Sequence, residues 1–346
     1  MSRFVSIIIP TYKRGSTLKF VLKGLKEQTY RNFEIVLVFK PSGDQTEEIV
    51  KEYGKDLKIR VIVQKEGFVT DAYNLGLQKA GGQIVAFLDD DAVPCPDWLE
   101  QHLRIHDRHV EVGGVSGIAV SAIKKNEKII QIHDKLGSQS SFRRAYYALP
   151  WARPLSGMSG YLIFFGRDGL VHHSSQLENK DVHSIVPSLL HMGANMSVKK
   201  EAIVGLRIND NLILGFTFEQ LLSYHIWKRG YRLLYYPDAK VLHMLHRESA
   251  GRFFQSYNRA TLRDAEFVLT FAFLKSQEPE ISWLSYILSI SALILRRMMR
   301  ANEHGLLISL YRVRGLLHGF VIASAYLISE GMNRCFSIRA SLSKLL

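Results

Sequence analysis

The sequence predicts an α/β fold: a mostly parallel, Rossmann-like sheet flanked by helices, with a helical extension at the carboxyl end. Three observations carry this expectation. A strand, turn and helix pattern recurs along the chain up to Asp89. The apolar run from Val85 to Leu88 ends abruptly in Asp89, Asp90 and Asp91, as a buried parallel strand does when its carboxyl end faces a ligand crevice. From Arg252 onward the composition changes to apolar runs punctuated by arginine.

Val5 to Ile9 is the first strand, stopped by Pro10, and Thr11 to Gly15 form a turn into a helix from about Ser16 to Gln28. Glu34 to Phe39 is the second strand. Pro41, Ser42 and Gly43 turn the chain, and Asp44 or Thr46 caps a helix through Tyr53. Ile59 to Gln64 is the third strand and Val69 to Ala80 the third helix, closed by Gly81 and Gly82 ahead of the strand from Gln83 to Leu88. Strands alternating with helices imply right-handed crossovers and a parallel sheet. Val112 to Val120 reads as a glycine-rich strand, Tyr235, Tyr236 and Pro237 end another, and Val241 to His243 form one more. The stretch from about Lys124 to Ser188 has no clear period, although GYLIFFGRDG within it suits a hairpin. A loop of that length is an acceptor-binding insertion or a surface segment.

Three carboxylates at one strand end are costly without a cation. Hard oxygen ligands suit Mg2+ or Mn2+, with the remaining coordination supplied by substrate phosphates. A solvated acidic turn ahead of the helix announced by Pro94 and Pro96 is the plainer alternative. Lys and Arg number 45 against 32 Asp and Glu, a net charge of +13, so anionic partners are favoured: nucleotide phosphates or an anionic membrane surface. No nucleic-acid motif accompanies the charge. Cys95 and Cys335 are the two cysteines, too few and too far apart for a disulfide framework or a cysteine metal site. The short run at Val5 to Ile9 does not make a signal peptide, so the beginning of the chain is expected inside the cell.

Several motifs, in order, carry a resemblance. They are VSIIIPTYKR (5–14), LKEQTYRNFEIVLV (25–38), DAYNLGLQKAGGQIVAFLDDDAVPCPDWLE (71–100), LHMGANMSVKKEAI (190–203) and WKRGYRLLYYPDAKVLH (227–243). Over about residues 4–246 the chain resembles family-2 glycosyltransferases, inverting nucleotide-sugar enzymes with the GT-A fold. The resemblance implies that Pro10, Thr11, Tyr12 and Arg14 border the nucleotide of a UDP- or GDP-linked donor. Asp89 touches the ribose or metal, Asp90 lies in the same motif, and Asp91 binds the Mn2+ or Mg2+ that bridges the diphosphate. The turn Gly193-Ala194-Asn195 lies under the transferred sugar, Glu219 is the general base, and His243 is a metal ligand, with His246 as a further candidate. Taken as domains, 1–250 is the catalytic part (about 1–120 for the nucleotide, about 121–250 for the acceptor) and 251–346 the helical extension.

Certain positions depart from the family pattern. Where relatives carry an acidic pair after the second strand, this chain has Phe39, Lys40, Pro41 and Ser42. Phe39 offers an aromatic surface to a base, and Asp71 either replaces the missing acid or caps the third helix. Phe218 stands at the usual acidic neighbour of the base, and His225 at a usual arginine.

In the extension, Ile281 to Leu295 and Gly315 to Ser329 are free of charge, each shorter than the roughly 20 residues that cross a bilayer. With Arg296, Arg297, Arg300, Arg312 and Arg314 between them, they suit helices lying on a membrane of anionic head groups. A helical appendage or a dimer contact is the alternative. The leading expectation is a metal-dependent glycosyltransferase at the cytoplasmic face of the cell membrane, held peripherally and acting on a lipid-linked or surface glycan. A sugar nucleotidyltransferase, or a nucleotide-sugar-binding protein without turnover, competes with it.

Overall fold

The computed structural model describes residues 3–125, 127–132, 153–174, 184–190, 193–207, 215, 217–244, 257–299, 301–331 and 341. His246, Arg300 and Cys335 lie outside the described residues. The chain forms two compact units. The first comprises residues 1–135, 181–208 and 219–245, and the second residues 136–180, 209–218 and 246–346.

The first unit is built on one sheet. Its early strands are β1 (Val5–Thr11), β2 (Phe33–Phe39), β3 (Ile59–Val63) and β4 (Ile84–Phe87), alternating with helices α1 (Gly15–Lys26), α2 (Thr46–Tyr53) and α3 (Val69–Lys79). β1 pairs in parallel with β2 on one side and β4 on the other, with Val5 opposite both Phe33 and Ile84. The order of strands therefore reverses at β1. Because the three strands are parallel, their carboxyl ends open on one edge, the place where α/β sheets bind ligands. β1 and β2 are buried along almost their whole length, which is why they read as continuous apolar runs.

Beyond β4 come β5 (Ala92–Pro94), α4 (Trp98–Arg108), β6 (Val112–Lys125) and β7 (Lys128–Gln131). β10 (Val186–Pro187), β11 (Met196–Lys199), α5 (Phe218–Lys228) and β12 (Arg232–Met244) complete that half, the order here passing over a hairpin of the second unit. β11 runs antiparallel between β4 and β6, and β12 runs parallel to β6. The expected strand ending at Pro237 and the expected strand at Val241 to His243 are one strand. Its register against β6 shifts between Tyr235 and Lys240, so Pro237, which cannot donate to a ladder, sits in the irregularity and pairing resumes beyond it. Gly117 is needed on β6, because a Cβ there would meet the Ala239 carbonyl at 2.0 Å.

The second unit holds the expected hairpin, β8 (Ile163–Phe165) against β9 (Val171–His173), and helices α6 (Tyr257–Lys275), α7 (Trp283–Met299) and α8 (Leu306–Gly331). Its core is aromatic: Phe271 and Tyr286 stack with centroids 3.8 Å apart, and Phe320 stacks on Tyr286 at 5.6 Å. His172 is structural, its Nε2 2.8 Å from the buried carboxylate of Asp168, which also accepts from Ser289. Asp264 is buried and accepts forked pairs of hydrogen bonds from both Arg297 and Arg312, at 3.0 to 3.2 Å. Two arginines expected at a membrane surface are thus committed within the unit.

The expectation that both apolar runs fall short of a membrane span is corrected for the second. Leu306–Ser329, 24 residues of α8, is long and apolar enough to cross a membrane by length and composition. Counting only charge-free residues stopped at Arg314, but arginine is a good helix former and the helix runs on through it.

Candidate active site

Asp89, Asp90 and Asp91 follow β4 after Leu88, and Thr11, the last residue of β1, leads into Tyr12 to Arg14 beside it. The parallel pairing of these two strands is what brings the turn and the acids together. β5 then pairs antiparallel with β12, placing His243 opposite Ala92, and the Met244 N–H donates to the Asp91 carbonyl at 2.9 Å. That register delivers His243 Nε2 to within 3.1 Å of Asp91 Oδ1. The other Asp91 oxygen, Oδ2, accepts from Arg14 Nη1. One ligand atom from each of Asp89, Asp91 and His243 lies within 4.8 Å of the others.

The electrostatics of this cluster favour a cation. Burial, then the charge of Asp91, pushes the Asp89 carboxyl up to about 6, and the same causes push Asp90 up to about 7. Burial lowers His243, but the hydrogen bond and charge of Asp91 outweigh it and raise the imidazole. Carboxylates that crowded want neutralising, and two carboxylates with an imidazole are a donor set that suits Mn2+. The residues present therefore fit the metal implied by the sequence.

Tyr73 is a member that sequence reasoning missed. Its hydroxyl lies 3.5 Å from Asp89 Oδ1, its ring packs edge-on against Phe87, and burial with the charges of Asp89 and Glu219 holds its phenol far above the ordinary range. Tyr73 thus stands in the field of both a candidate metal-ligating carboxylate and the expected base. Only its helical position, two residues after Asp71, hinted at this. Glu219 opens α5, and its Oε1 accepts the Gly193 N–H at 3.0 Å.

The remaining expected residues divide. Thr11 is buried at the end of β1 beside Asp90, next to Pro10, while Tyr12 is 46% exposed with Lys13 and Lys40 over its ring at 5.2 and 5.6 Å. Phe39 is buried at the end of β2, so the ring available to a base is Tyr12. Asp71 accepts the Phe68 N–H at 2.6 Å, which is the helix-capping role. Asn195 is fully buried, and it is a support behind the turn. Its Oδ1 accepts from Trp98 Nε1 and His102 Nε2, and its Nδ2 donates to the carbonyls of Ile118 and Ala239. The chain of contacts continues from His102 Nδ1 through Ser197 to His106 Nε2, each at 2.9 Å. Phe218 is buried, and burial, with Arg229 nearby, lowers His225.

Residues 6–170 match the sequence family described as Glycosyl transferase family 2. The chain carries a family-2 glycosyltransferase domain. A putative glycosyltransferase, EpsH of Bacillus subtilis, is 35% identical over 101 residues, 29% of each chain. Chondroitin synthase of Escherichia coli is 36% identical over 104 residues, 29% of this chain and 15% of that one. The matched region spans less than half the length of these curated relatives. Among solved structures, the mannosyltransferase PcManGT of Pyrobaculum calidifontis, in complex with GDP-Man and Mn2+, has a TM-score of 0.52 at 17% identity, covering 100% of this chain and 86% of that one. GalNAc-T7 with UDP, GalNAc and Mn2+ has a TM-score of 0.51 at 20% identity, covering 71% and 44%. The fold is GT-A.

Proposed function

We propose that this protein is an inverting, metal-dependent glycosyltransferase that moves a sugar from a nucleotide-diphosphate donor to a lipid-linked or surface glycan at a membrane. The observation carrying the reading is the convergence of Asp89, Asp91 and His243 at the sheet's switch point, beside the basic turn after β1. Asp89, Asp91 and His243 would hold the metal, which supplies Lewis-acid stabilisation of charge on the departing diphosphate. Arg14, Lys13 and Lys40 add positive charge on the same side, and Tyr12 offers its exposed ring to the base.

Glu219 acts as general base. An acceptor hydroxyl oxygen attacks the anomeric carbon, the bond from that carbon to the phosphate oxygen breaks with its electron pair left on the diphosphate, and the hydroxyl proton passes to the Glu219 carboxylate. The hydrogen bond from Gly193 orients that carboxylate through its other oxygen.

The helical unit supports the membrane part of the proposal. Leu284, Ile287, Leu288, Leu295 and Met299 are exposed on α7, and Leu306, Leu310, Leu317, Val321 and Ile328 on α8. Their spacing of three, four and seven residues makes an apolar stripe on each helix, and large exposed apolar patches mark membrane or partner surfaces.

The test is a panel of UDP- and GDP-sugars screened for thermal stabilisation with and without Mn2+. A ligand at about one hundred times its Kd stabilises by about 2.7 kcal/mol, a readily measured shift in Tm. Stabilisation by at least one donor that disappears on chelation is expected; none by any donor, with or without Mn2+, would sink the reading.

A further inference from the structure

Asp91 is both the carboxylate that a metal would need and the partner of Arg14, whose guanidinium sits on Oδ2 while His243 faces Oδ1. Both oxygens already have a partner, so a cation would have to share them with Arg14 and His243 or displace these groups. A divalent ion brought beside a guanidinium at hydrogen-bond distance is opposed by like charge, more strongly here than in water because Asp91 is buried. The backbone of Arg14 is fixed, since its carbonyl accepts the N–H groups of Thr17 and Leu18 at 3.0 Å each. Its side chain is 21% exposed, so the proposed movement is one of the side chain toward solvent.

We propose that Arg14 is a resident counter-cation that neutralises Asp91 until metal and nucleotide diphosphate arrive together. The diphosphate supplies the acceptors onto which the planar guanidinium moves, a geometry that arginine matches in a forked pair, and the vacated oxygen of Asp91 passes to the metal. Metal alone must evict Arg14 with no phosphate to receive it. Nucleotide alone draws Arg14 away and leaves Asp91 uncompensated. Each ligand therefore tightens the other, and the coupling is reciprocal. In the cell this makes the site select a metal and nucleotide diphosphate as a pair and keeps free divalent cations out of the resting protein. The inference rests on the metal and nucleotide reading given above.

The experiment is a Mn2+ titration of the full chain, followed by the electron paramagnetic resonance of free Mn2+, without nucleotide and with saturating UDP or GDP. Wild type is expected to bind Mn2+ weakly alone and at least about tenfold more tightly with the effective nucleotide. Arg14→Gln should bind Mn2+ alone about tenfold more tightly than wild type, with the nucleotide's enhancement reduced by a similar factor. Arg14→Lys, which keeps the charge, should stay close to wild type in the absence of nucleotide. Equal or weaker Mn2+ binding by folded Arg14→Gln overturns the proposal, and so does a wild-type enhancement near one, whichever way the variants fold. Asp91→Asn in the same titration separates the two ideas: undiminished Mn2+ binding there means that the metal lies elsewhere, and the site reading itself falls with the proposal.

Discussion

The Gly193 N–H donates to Glu219 Oε1 at 3.0 Å, tying the opening of α5 to the turn that leads into β11. A carboxylate held by a backbone group cannot wander among rotamers, and a base must be within hydrogen-bond reach of the proton it takes. Glu219→Gln preserves the acceptor for Gly193 and removes the basicity. Donor binding should persist while kcat falls by about a hundredfold to ten-thousandfold. Near-normal turnover at saturating acceptor would place the base elsewhere.

Asp91 is the residue on which the metal reading depends most directly, because His243 and Arg14 both converge on it. Asp91→Asn keeps the size and one acceptor oxygen while removing the charge. Thermal stabilisation by UDP or GDP should lose its dependence on Mn2+ in this variant, with the unliganded fold still intact by circular dichroism. A variant that retains the full Mn2+-dependent shift would refute the ligand assignment.

The line from Asn195 through His102 and Ser197 to His106 predicts a dependence of stability on pH. Burial pushes His102 down to about 4 and His106 well below its ordinary value, whereas both titrate near about 6.5 in the unfolded chain. The folded state thus binds fewer protons than the unfolded state between these values. Stability is complete above about pH 6.5 and is lost as pH falls toward about 4, on the order of 3 kcal/mol for His102 alone. Asp89 and Asp90, whose pKa values are raised, act in the opposite sense, so the difference between proteins is the readout. His102→Gln keeps polar groups for Asn195 and Ser197 and carries no titrating proton. Urea unfolding between about pH 7.5 and about pH 4.5 should show wild type losing more stability than the variant; parallel curves would dismiss the argument.

The first half of the fold was legible because each strand up to β4 is a short, mostly apolar run and each turn carries its own glycine, proline or capping residue. The acidic strand end was legible for the same reason: polar residues where a buried strand stops need an explanation. What local pattern could not show was pairing between distant segments. Arg14 reaching Asp91, Tyr73 facing Asp89, and Asn195 turned inward to Trp98 and His102 depend on sheet order and register. Asn195 misled because a small-residue turn reads alike whether its side chain faces a ligand or the core. In the helical unit, charge-free run length stood in for helix length, and Asp264 had concealed its claim on Arg297 and Arg312.

That clamp bears on the proposed membrane attachment. α8 has the length to span one, yet Arg312 on it is joined with Arg297 of α7 to the buried Asp264 of α6. Gly315 and Gly319 bring α8 so close to α6 that a Cβ would meet the Thr261 and Ala265 carbonyls at 2.3 and 2.5 Å. To cross the bilayer, α8 would have to abandon these contacts or carry three buried charges into hydrocarbon, and intramembrane charges are expensive. Peripheral attachment through the exposed stripes avoids both costs. The full chain should sediment with anionic vesicles at low salt, be weakened as salt screens its arginines, and be released by carbonate. Leu284, Leu288 and Leu295 are 67%, 37% and 55% exposed, so replacing all three by Ser leaves the unit's core intact while removing apolar area at about 25 cal/mol per Å². Partitioning of that variant should fall by about tenfold or more. A full chain that stays in the supernatant at low salt rules out attachment, and one that resists both salt and carbonate has inserted α8 as a span.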